Sequence, residues 1–254
     1  MGSGSVQIAT VDGLPEIAAG DDLGALIARQ SDGAVQPGAV VCVAQKLVSK
    51  AEGRVRRLDE VQAGDRAHQL ARRGLGSGDA RLVQVVLDES AEVLRAERVL
   101  ICRTHTGLVC ANAGVDQSNA PEDGTVVLLP ADPDASARAI KARLEQLTGL
   151  QPVAVVITDS FGRAWRVGQV DVAIGVAGLD PLLPHDGRVD RAGRPLVATL
   201  PAVADELAAA AGLVRSKAGG DGVVVITGAD FPMTAADGPG AAALQRPLVD
   251  DLFR

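Results

Sequence analysis

The sequence has no tyrosine and few other aromatic residues. It contains one tryptophan and three phenylalanines among 254 residues, although 47% of its residues are hydrophobic. A buried core must therefore be built from valine, leucine, isoleucine and alanine, a composition that suits buried strands and alanine-rich helices. The chain is long enough to bury such a core in one large domain or two small ones.

Long hydrophobic runs, paired cysteines and an excess of basic residues are also missing. No apolar stretch reaches the ~18 residues of a membrane helix, and the amino terminus lacks the pattern of a signal peptide. Cys42, Cys102 and Cys110 lie in apolar runs without a C-x-x-C pair, so we interpret them as buried, reduced thiols. The net charge of −7 argues against nucleic-acid binding. We therefore expect a cytoplasmic protein that binds neither nucleic acid nor membranes.

Several common catalytic and nucleotide-binding motifs are absent. Neither G-x-x-x-x-G-K-[ST] nor a G-x-G-x-x-G after a strand occurs, so a nucleotide site here would be of neither the P-loop nor the Rossmann type. The three histidines lack metal-ligand spacing, which disfavours a zinc site. The absence of G-x-S-x-G lowers the case for a serine hydrolase.

Hydrophobic periodicity predicts strands mixed with helices, without a strict β-α-β alternation. Strands are predicted at Val6–Thr10, Ala39–Ala44, Val99–Cys102, Gly107–Ala111, Val126–Pro130, Val153–Thr158 and Val223–Thr227. Helices are predicted at Leu23–Gln30, Leu58–Arg73, Asp79–Leu87, Ala91–Glu97, from a cap at Asp132 or Asp134 to Leu147, and at Leu200–Leu213. This pattern predicts an α+β fold with a mixed sheet.

The first segment that could carry chemistry follows the predicted strand Val153–Thr158. Asp159 and Ser160 begin a predicted loop, Asp159–Arg166, at the carboxyl end of that strand. Ligand sites favour such positions, and a carboxylate beside a hydroxyl suits Mg²⁺ or Mn²⁺, which take oxygen ligands. A helix cap or an Asx turn would use the same residues, so this segment alone leaves both interpretations open.

A second polar segment, Asn112–Asn119, supplies another carboxylate at Asp116. Two carboxylates from separate loops could hold a metal ion that bridges nucleotide phosphates. Ordinary turn chemistry would explain the same composition. The segment therefore becomes informative only in combination with Asp159.

Two further segments could bind phosphate. Lys46, Ser49 and Lys50 follow the predicted strand Ala39–Ala44, and a lysine at a strand end can pair with phosphate as a point charge. The glycine-rich segment Ser216–Gly222 could form a nest of backbone N–H groups that binds an anion. The alternatives are a solvated helix face for the first and a flexible connection for the second.

Taken together, these segments resemble the coenzyme F420-0:L-glutamate ligase family. The matching stretches follow the family's order over about 200 residues. They are LPEI (Leu14–Ile17), AQKLVSKAEGR (Ala44–Arg54), VCANAGVDQSN (Val109–Asn119), ITDSFGRAWRVGQVDVAIGVAG (Ile157–Gly178) and DRAGRPLVATLPAVADELAAAAGLV (Asp190–Val214).

The resemblance implies a two-lobed, mixed-sheet α+β fold, an intertwined homodimer and a ligase dependent on GTP and divalent metal ions. The family uses GTP to activate a carboxylate of the deazaflavin precursor F420-0, and L-glutamate then attacks; later rounds add γ-linked glutamates. Mg²⁺ or Mn²⁺, with two ions expected, and K⁺ as a helper are the implied cofactors. Residues 1–254 would form one stand-alone ligase domain without the nitroreductase-like domain of actinobacterial relatives.

The resemblance also assigns roles to individual residues. It implies metal binding by Asp116, Asp159 and Ser160, and catalysis by Lys50, Asp116 and Asp159. It implies nucleotide contacts at Leu14, Pro15, Glu16, Ile17, Gln45, Lys50, Asn119, Ser216, Lys217, Gly219 and Gly220. Two alternatives stay open: an amide ligase of this fold with a different carboxylate acceptor, and a non-catalytic module that binds nucleotide or metal.

Overall fold

The computed structural model describes residues 5–185, 187, 189–196, 199–216, 221–234 and 236–253. Within these residues the chain forms ten strands and six α-helices. The strands are β1 (Gln7–Thr10), β2 (Val40–Ala44), β3 (Val55–Arg57), β4 (Ser90–Ala96), β5 (Leu100–Thr104), β6 (Val109–Ala111), β7 (Thr125–Val127), β8 (Ala154–Arg163), β9 (Arg166–Ala177) and β10 (Val223–Thr227). The helices are α1 (Leu23–Gln30), α2 (Gln45–Ala51), α3 (Asp65–Ala71), α4 (Ala80–Asp88), α5 (Pro133–Thr148) and α6 (Val203–Val214).

The main sheet has five strands in the order β1-β10-β2-β8-β9. β2 and β8 are parallel, and the other neighbouring pairs are antiparallel. A sheet whose strands are covered on both faces reads as continuous apolar runs, which explains sequences such as VVCVA in β2. The predicted α+β class with a mixed sheet is therefore confirmed.

The two faces of this sheet pack against different helices. On one, Val155 and Ile157 of β8 join a hydrophobic core with residues of α1 and α5. On the other, Ala154 and Val156 join a core with residues of α6. We call these the α5 face and the α6 face. Because successive strand residues point to opposite faces, Asp159 continues the α5 face, and Thr158 and Ser160 continue the α6 face.

A third core lies in the middle of the chain. The three-stranded sheet β4-β5-β6 and the pair β3-β7 are separate from the main sheet. Side chains of α3, α4 and β5 pack together there with the segment before Asp116, burying residues such as Val83, Leu100 and Val126 completely. This core supports the loop that carries Asp116.

Two helices begin at an aspartate side chain that caps the first turn. α1 has the predicted bounds, and the Asp22 carboxylate accepts a hydrogen bond from Ala25 N at 2.9 Å. α5 is capped by Asp132, which accepts from Ala135 N at 2.9 Å, and it ends at Gly149 with a φ of +69°. A side-chain N-cap of this kind contributes about 1 kcal/mol to helix stability.

Two helix predictions in the middle of the chain were wrong. Leu58–Arg73 is not one helix: a short 3₁₀ turn, Leu58–Glu60, precedes α3, which begins only after Gly64. The predicted helix Ala91–Glu97 is strand β4, which pairs antiparallel with β5. Its alanine, glutamate, leucine and arginine favour a helix in isolation, but the pairing with β5 decides the conformation.

The predicted loop Asp159–Arg166 was also wrong. β8 continues as far as Arg163, and β9 starts at Arg166, so the segment forms the outer end of a long hairpin. The antiparallel pairing extends beyond the apolar part of β8 and places Ser160 directly opposite Asp171. Strand pairing, not an irregular loop, therefore fixes the directions of these side chains. No helix in the described part of the chain is long and apolar enough to span a membrane.

Candidate active site

Two parallel strands of the main sheet end at one edge, where both lead into polar residues. β2 and β8 are paired in parallel, so their carboxyl ends lie side by side. β2 runs directly into α2, whose first residue is Gln45, while β8 continues through Asp159 and Ser160. The carboxyl ends of parallel strands are the common place for a ligand site.

Asp116 approaches this edge from a tightly turned segment after β6. Asn112 and Ala113 have φ values of +52° and +51°, which are uncommon for residues other than glycine. At Gly114, an added Cβ would lie 2.5 Å from a leucine side chain, so the chain passes too close for a larger residue. The Asp116 backbone then exchanges hydrogen bonds of 3.0 and 2.8 Å with Val127. The backbone around the carboxylate is thus fixed by the fold.

Lys46, in the first turn of α2, contacts this carboxylate. Its Nζ lies 2.6 Å from Asp116 Oδ2 and donates to the Ser118 carbonyl at 2.8 Å and the Ser118 hydroxyl at 2.6 Å. Asp116 also accepts from the Ser118 N–H at 2.8 Å. Burial on its own would raise the pKa of Asp116, but these hydrogen bonds and the Lys46 charge hold it below the ordinary value. Asp116 is therefore an anion paired with one cation.

The surroundings of Asp159 raise its pKa, whereas those of Asp116 lower it. Burial, with smaller contributions from the negative charges of Asp116 and Asp171, raises the pKa of Asp159 to about 6, against the opposing effects of the Ser160 N–H and Lys46. The Ser160 N–H donates to Asp159 Oδ1 at 2.9 Å. Since these charges all act on Asp159, the fold brings the two predicted metal carboxylates and Lys46 into one electrostatic group.

The cysteines near this edge are unreactive by environment. Burial raises the pKa of Cys110 on β6 to about 12, and the Asp159 carboxylate adds to that shift. All three cysteines are free and buried, which confirms their interpretation as buried thiols. A thiol that stays protonated is neither a nucleophile nor a good metal ligand.

Ser160 does not share a face with Asp159. On the α6 face its hydroxyl donates to Asp171 Oδ1 at 2.5 Å. Arg215, immediately after α6, donates through Nη1 to Asp171 Oδ2 and to Thr158 Oγ1, each at 2.7 Å. The hydroxyl predicted to bind metal is therefore engaged with a carboxylate in this structure.

Lys50 lies one turn beyond Lys46 on α2 but contacts a different acid. Its Nζ forms an ion pair with the Glu16 carboxylate, which is largely exposed. Gln45, at the start of the helix, is buried, and its Oε1 accepts from the Ser49 hydroxyl at 2.8 Å. The structure thus joins two predicted nucleotide-binding segments, Leu14–Ile17 and the start of α2, through Lys50 and Glu16.

The other predicted nucleotide residues occupy different environments. Ile17 is buried and Leu14 packs against the same core, whereas Pro15 is exposed. Asn119 is exposed in the loop after Asp116, with a φ of +55°. Ser216 is exposed just beyond α6. The predictions for Lys217, Gly219 and Gly220 lie outside the described residues.

The donor set at the edge fits a hard divalent cation. Carboxylates and hydroxyls supply only oxygen ligands, which Mg²⁺ prefers. Among the described residues, no group of three or more histidine, cysteine, aspartate or glutamate side chains converges on one point. Mg²⁺ usually takes one or two carboxylates, keeps several waters and completes its shell with substrate phosphate, so Asp116 and Asp159 fit that mode of binding.

Two functional candidates do not stand out in the sequence. Lys46 is only one of several cations after a strand, and its contact with Ser118, beside Asp116, spans 72 residues. Asp171 was missed altogether, although an acid within the apolar run Val170–Val176 is a usable signal, because a carboxylate is costly to bury without a partner.

Comparison with known proteins agrees with the resemblance. The model of the F420-0:gamma-glutamyl ligase family matches residues 13–228. Three similar curated proteins are each named coenzyme F420:L-glutamate ligase. That of Methanothermobacter thermautotrophicus is 41% identical over 98% of this chain and 99% of its own length, that of Archaeoglobus fulgidus is 44% identical over 88% of each chain, and that of Methanopyrus kandleri is 42% identical over 92% of each.

These matches cover both segments that meet at the sheet edge, including Asp116, Asp159 and the start of α2. Relatives above 40% identity along nearly whole chains share a fold and a common arrangement of its core. The chain belongs to the F420-0:gamma-glutamyl ligase family.

Proposed function

We propose that this protein is a GTP-dependent ligase that joins L-glutamate to the deazaflavin precursor coenzyme F420-0. The observation that carries the proposal is the meeting of Asp116, Asp159 and Lys46 at the carboxyl edge of the main sheet, in a chain of this family. The relatives' names supply the acceptor and the amino acid. The nucleotide and the intermediate are our own inference.

The chemistry explains why a nucleotide is needed. A carboxylate is a poor acyl donor, because its leaving group would be oxide. In the proposed first step a carboxylate oxygen of the precursor attacks the γ-phosphorus of GTP, the bond to the bridging oxygen breaks, and GDP leaves. The glutamate nitrogen then attacks the acyl phosphate carbon, inorganic phosphate leaves with the C–O electron pair, and the nitrogen loses a proton. No protein nucleophile is required.

Charge placement at the edge supports phosphoryl transfer. A bound divalent cation, Mg²⁺ or Mn²⁺, would neutralise charge on the phosphoryl oxygens, and Asp116 and Asp159 would hold it. The Ser160 oxygen would contribute a lone pair while its hydrogen stays directed at Asp171 Oδ1. We propose a second such ion and K⁺ as further cofactors, without assigning ligands. Lys46, already paired with Asp116, can stabilise phosphate charge beside the cation.

Nucleotide contacts are proposed for two groups of residues. The first consists of Lys50 on α2 and the segment Leu14–Ile17. The ion pair between Lys50 and Glu16 joins them. The second is formed by Asn119 and by Ser216 with the segment after it. Lys50 remains a proposed catalytic and nucleotide-binding residue, and its present partner, an exposed carboxylate, is one that phosphate could replace at little cost.

We also propose a homodimer in the cytoplasm. Exposed apolar side chains gather at the hairpin tip: Trp165 is 81% exposed, and its ring centroid lies 6.0 Å from that of Phe253, which is 72% exposed. Val167 and Val249 nearby are at least 90% exposed. A second copy would cover this patch, as exposed apolar patches commonly mark interfaces. A monomeric mass by light scattering would contradict the dimer.

The decisive experiment is mass spectrometry of products. The purified protein is incubated with F420-0, L-glutamate, Mn²⁺ and GTP, with omission of each component as a control. A product heavier by one glutamate residue, formed with GDP and phosphate, is expected; heavier products would report γ-linked extension. Ligation to other carboxylates but not F420-0 would favour a different acceptor. GTP binding with no substrate-dependent phosphate release would indicate a non-catalytic module.

A further inference from the structure

The α6 face of β8 carries a buried charge network beside the candidate site. Asp171 and Arg215 side chains are each only 11% exposed and form an ion pair of 2.7 Å. A second Asp171 oxygen accepts from the Ser160 hydroxyl. Arg215 also reaches Thr158 Oγ1 at 2.7 Å and the Cys42 carbonyl at 3.5 Å. This network connects β2, β8 and β9 to the end of α6.

The position of Asp171 ties the network to the site on both sides. It lies opposite Ser160 in the β8–β9 register. Ser160 directly follows Asp159, the proposed metal ligand, in β8. Arg215, the partner of Asp171, immediately precedes Ser216, the first residue of the glycine-rich segment. An added Cβ at Gly212 would lie 3.3 Å from Asp171 Oδ2, so the last turn of α6 packs directly against this carboxylate.

We infer that Asp171 is a positioning residue of this site: its carboxylate fixes the Ser160 hydroxyl on β8 and, through Arg215, fixes the chain that leaves α6 toward the glycine-rich segment. The inference rests on the proposed function, since it concerns how the proposed metal strand β8 and the proposed nucleotide residue Ser216 are held in one geometry. Asp171 itself need not touch substrate.

The physical argument is that each partner of Asp171 has more than one possible direction. The Ser160 hydroxyl is free to rotate, and an acceptor at 2.5 Å selects one rotamer. The Arg215 guanidinium is planar and rigid. Its Nη1 donates to Asp171 and Thr158 and its Nη2 to the Cys42 carbonyl, so these contacts fix where the chain after Arg215 begins. Groups that orient metal ligands from behind commonly cost 10–100-fold in metal affinity or activity when they are removed.

A pair of substitutions tests whether Asp171 positions the site. Asp171→Asn keeps the shape but removes the charge that pairs with Arg215. Asp205→Asn is the matched control: Asp205 on α6 is also a partly buried acid, and it accepts from Ala173 N at 2.9 Å on the same strand β9 without contacting Ser160, Thr158 or Arg215. Both variants and the wild type are assayed for Mn²⁺–GTP binding by calorimetry, for ligation kinetics and for melting temperature.

We expect Asp171→Asn to weaken Mn²⁺–GTP binding and to lower kcat about 10-fold or more, with KM for L-glutamate little changed. Asp205→Asn should change neither binding nor kcat by more than about threefold. Equal losses in the two variants would show that Asp171 only holds α6 against β9, and wild-type binding by Asp171→Asn would also overturn the inference. Failure of the wild type itself to ligate glutamate would refute the proposed function and not this inference, because nucleotide binding is measured separately.

Arg215→Lys is the substitute if Asp171→Asn does not fold. It retains the positive charge, but lysine has one terminal nitrogen on a flexible stem in place of the rigid pair Nη1 and Nη2, so it cannot hold Asp171 and the Cys42 carbonyl in the same fixed geometry. The same loss of Mn²⁺–GTP affinity is expected in this folded variant. Unchanged affinity would overturn the inference.

Discussion

The two faces of β8 at its carboxyl end differ in how their charges are satisfied. On the α6 face, Asp171 and Arg215 neutralise each other, and Ser160 and Thr158 add hydrogen bonds to the pair, which leaves only Arg215 Nε of this group without a partner among the described residues. On the α5 face, Asp159 and Asp116 share one nearby cation, Lys46, which forms an ion pair with Asp116 and not with Asp159. The first group is neutral, whereas the second has a net negative charge.

This difference distinguishes the residues that hold the fold, on the α6 face, from those expected to bind a ligand, on the α5 face. A buried ion pair whose two charges neutralise each other gains little from a further charged ligand, and breaking it is costly. A buried carboxylate whose pKa is raised to about 6, as in Asp159, is held in an unfavourable state at neutral pH. A divalent cation would relieve that cost, and such displaced pKa values concentrate at functional sites. The α5 face is therefore where ligand chemistry is expected, and the α6 face is what positions it.

The largest effect is expected from removing a charge on the α5 face. Asp159→Asn or Asp116→Asn should lower ligation turnover by about 100-fold or more, because each removes one of two anionic oxygen donors for the cation that stabilises phosphoryl charge. Turnover is measured as product formation by mass spectrometry, and circular dichroism confirms that the variants are folded. Near-normal turnover of both folded variants would remove the distinction between the two faces.

The next largest effect on activity is expected from substitution of Lys46. Lys46→Met is expected to reduce kcat/KM for GTP about 10- to 100-fold, since it removes the cation beside Asp116 and the point charge available to phosphate. Lys141→Met is the matched control, because Lys141 on α5 is likewise a lysine paired with acids, Glu145 at 3.3 Å and Asp237 at 3.4 Å. Steady-state kinetics of the two variants should differ; similar losses would argue against a role for Lys46 at the site.

Much of this edge is predictable from sequence, and the reason is local. Asp159 follows a strongly apolar strand, and Asp116 lies in a polar, glycine-containing loop, so both stand out from their neighbours. The helix caps at Asp22 and Asp132 are equally local. Such features depend on a few adjacent residues, which a sequence displays directly.

The rest depends on contacts between distant segments. Which lysine of α2 meets Asp116 is set by the orientation of the helix on the sheet, and Lys46 and Lys50 are equivalent in composition alone. The separation of Asp159 from Ser160 onto opposite faces follows from extension of β8 into a hairpin, where a loop was predicted. β4 is a strand because β5 pairs with it, a long-range effect that outweighs helical propensity.

The pH dependence of stability offers a test without substrate. An aspartate with a pKa of about 6 in the folded protein, against an ordinary value of 3.8, favours folding when protonated; this contribution is complete below about pH 3.8 and is lost as the pH rises through 6. Metal-free Asp159→Asn should therefore be more stable than wild type at pH 8, by at most about 3 kcal/mol, and similar at pH 4. Urea unfolding in chelator measures both values. Equal stability at pH 8 would show that Asp159 is well solvated.

The smallest effect is expected on the α6 face, away from the network. In the wild type, the Asp205 carboxylate accepts from Ala173 N at 2.9 Å, and the amide of Asp205→Asn retains an oxygen that can accept this bond. Burial raises the pKa of Asp205, so the neutral amide also avoids a cost of ionisation. The free energy of unfolding at pH 7 should change by less than about 1 kcal/mol, as urea titration can measure. A large destabilisation would mean that the charge of Asp205 is itself part of the scaffold. The α6 face would then depend on a wider set of anions than Asp171, and its contrast with the α5 face would be one of degree.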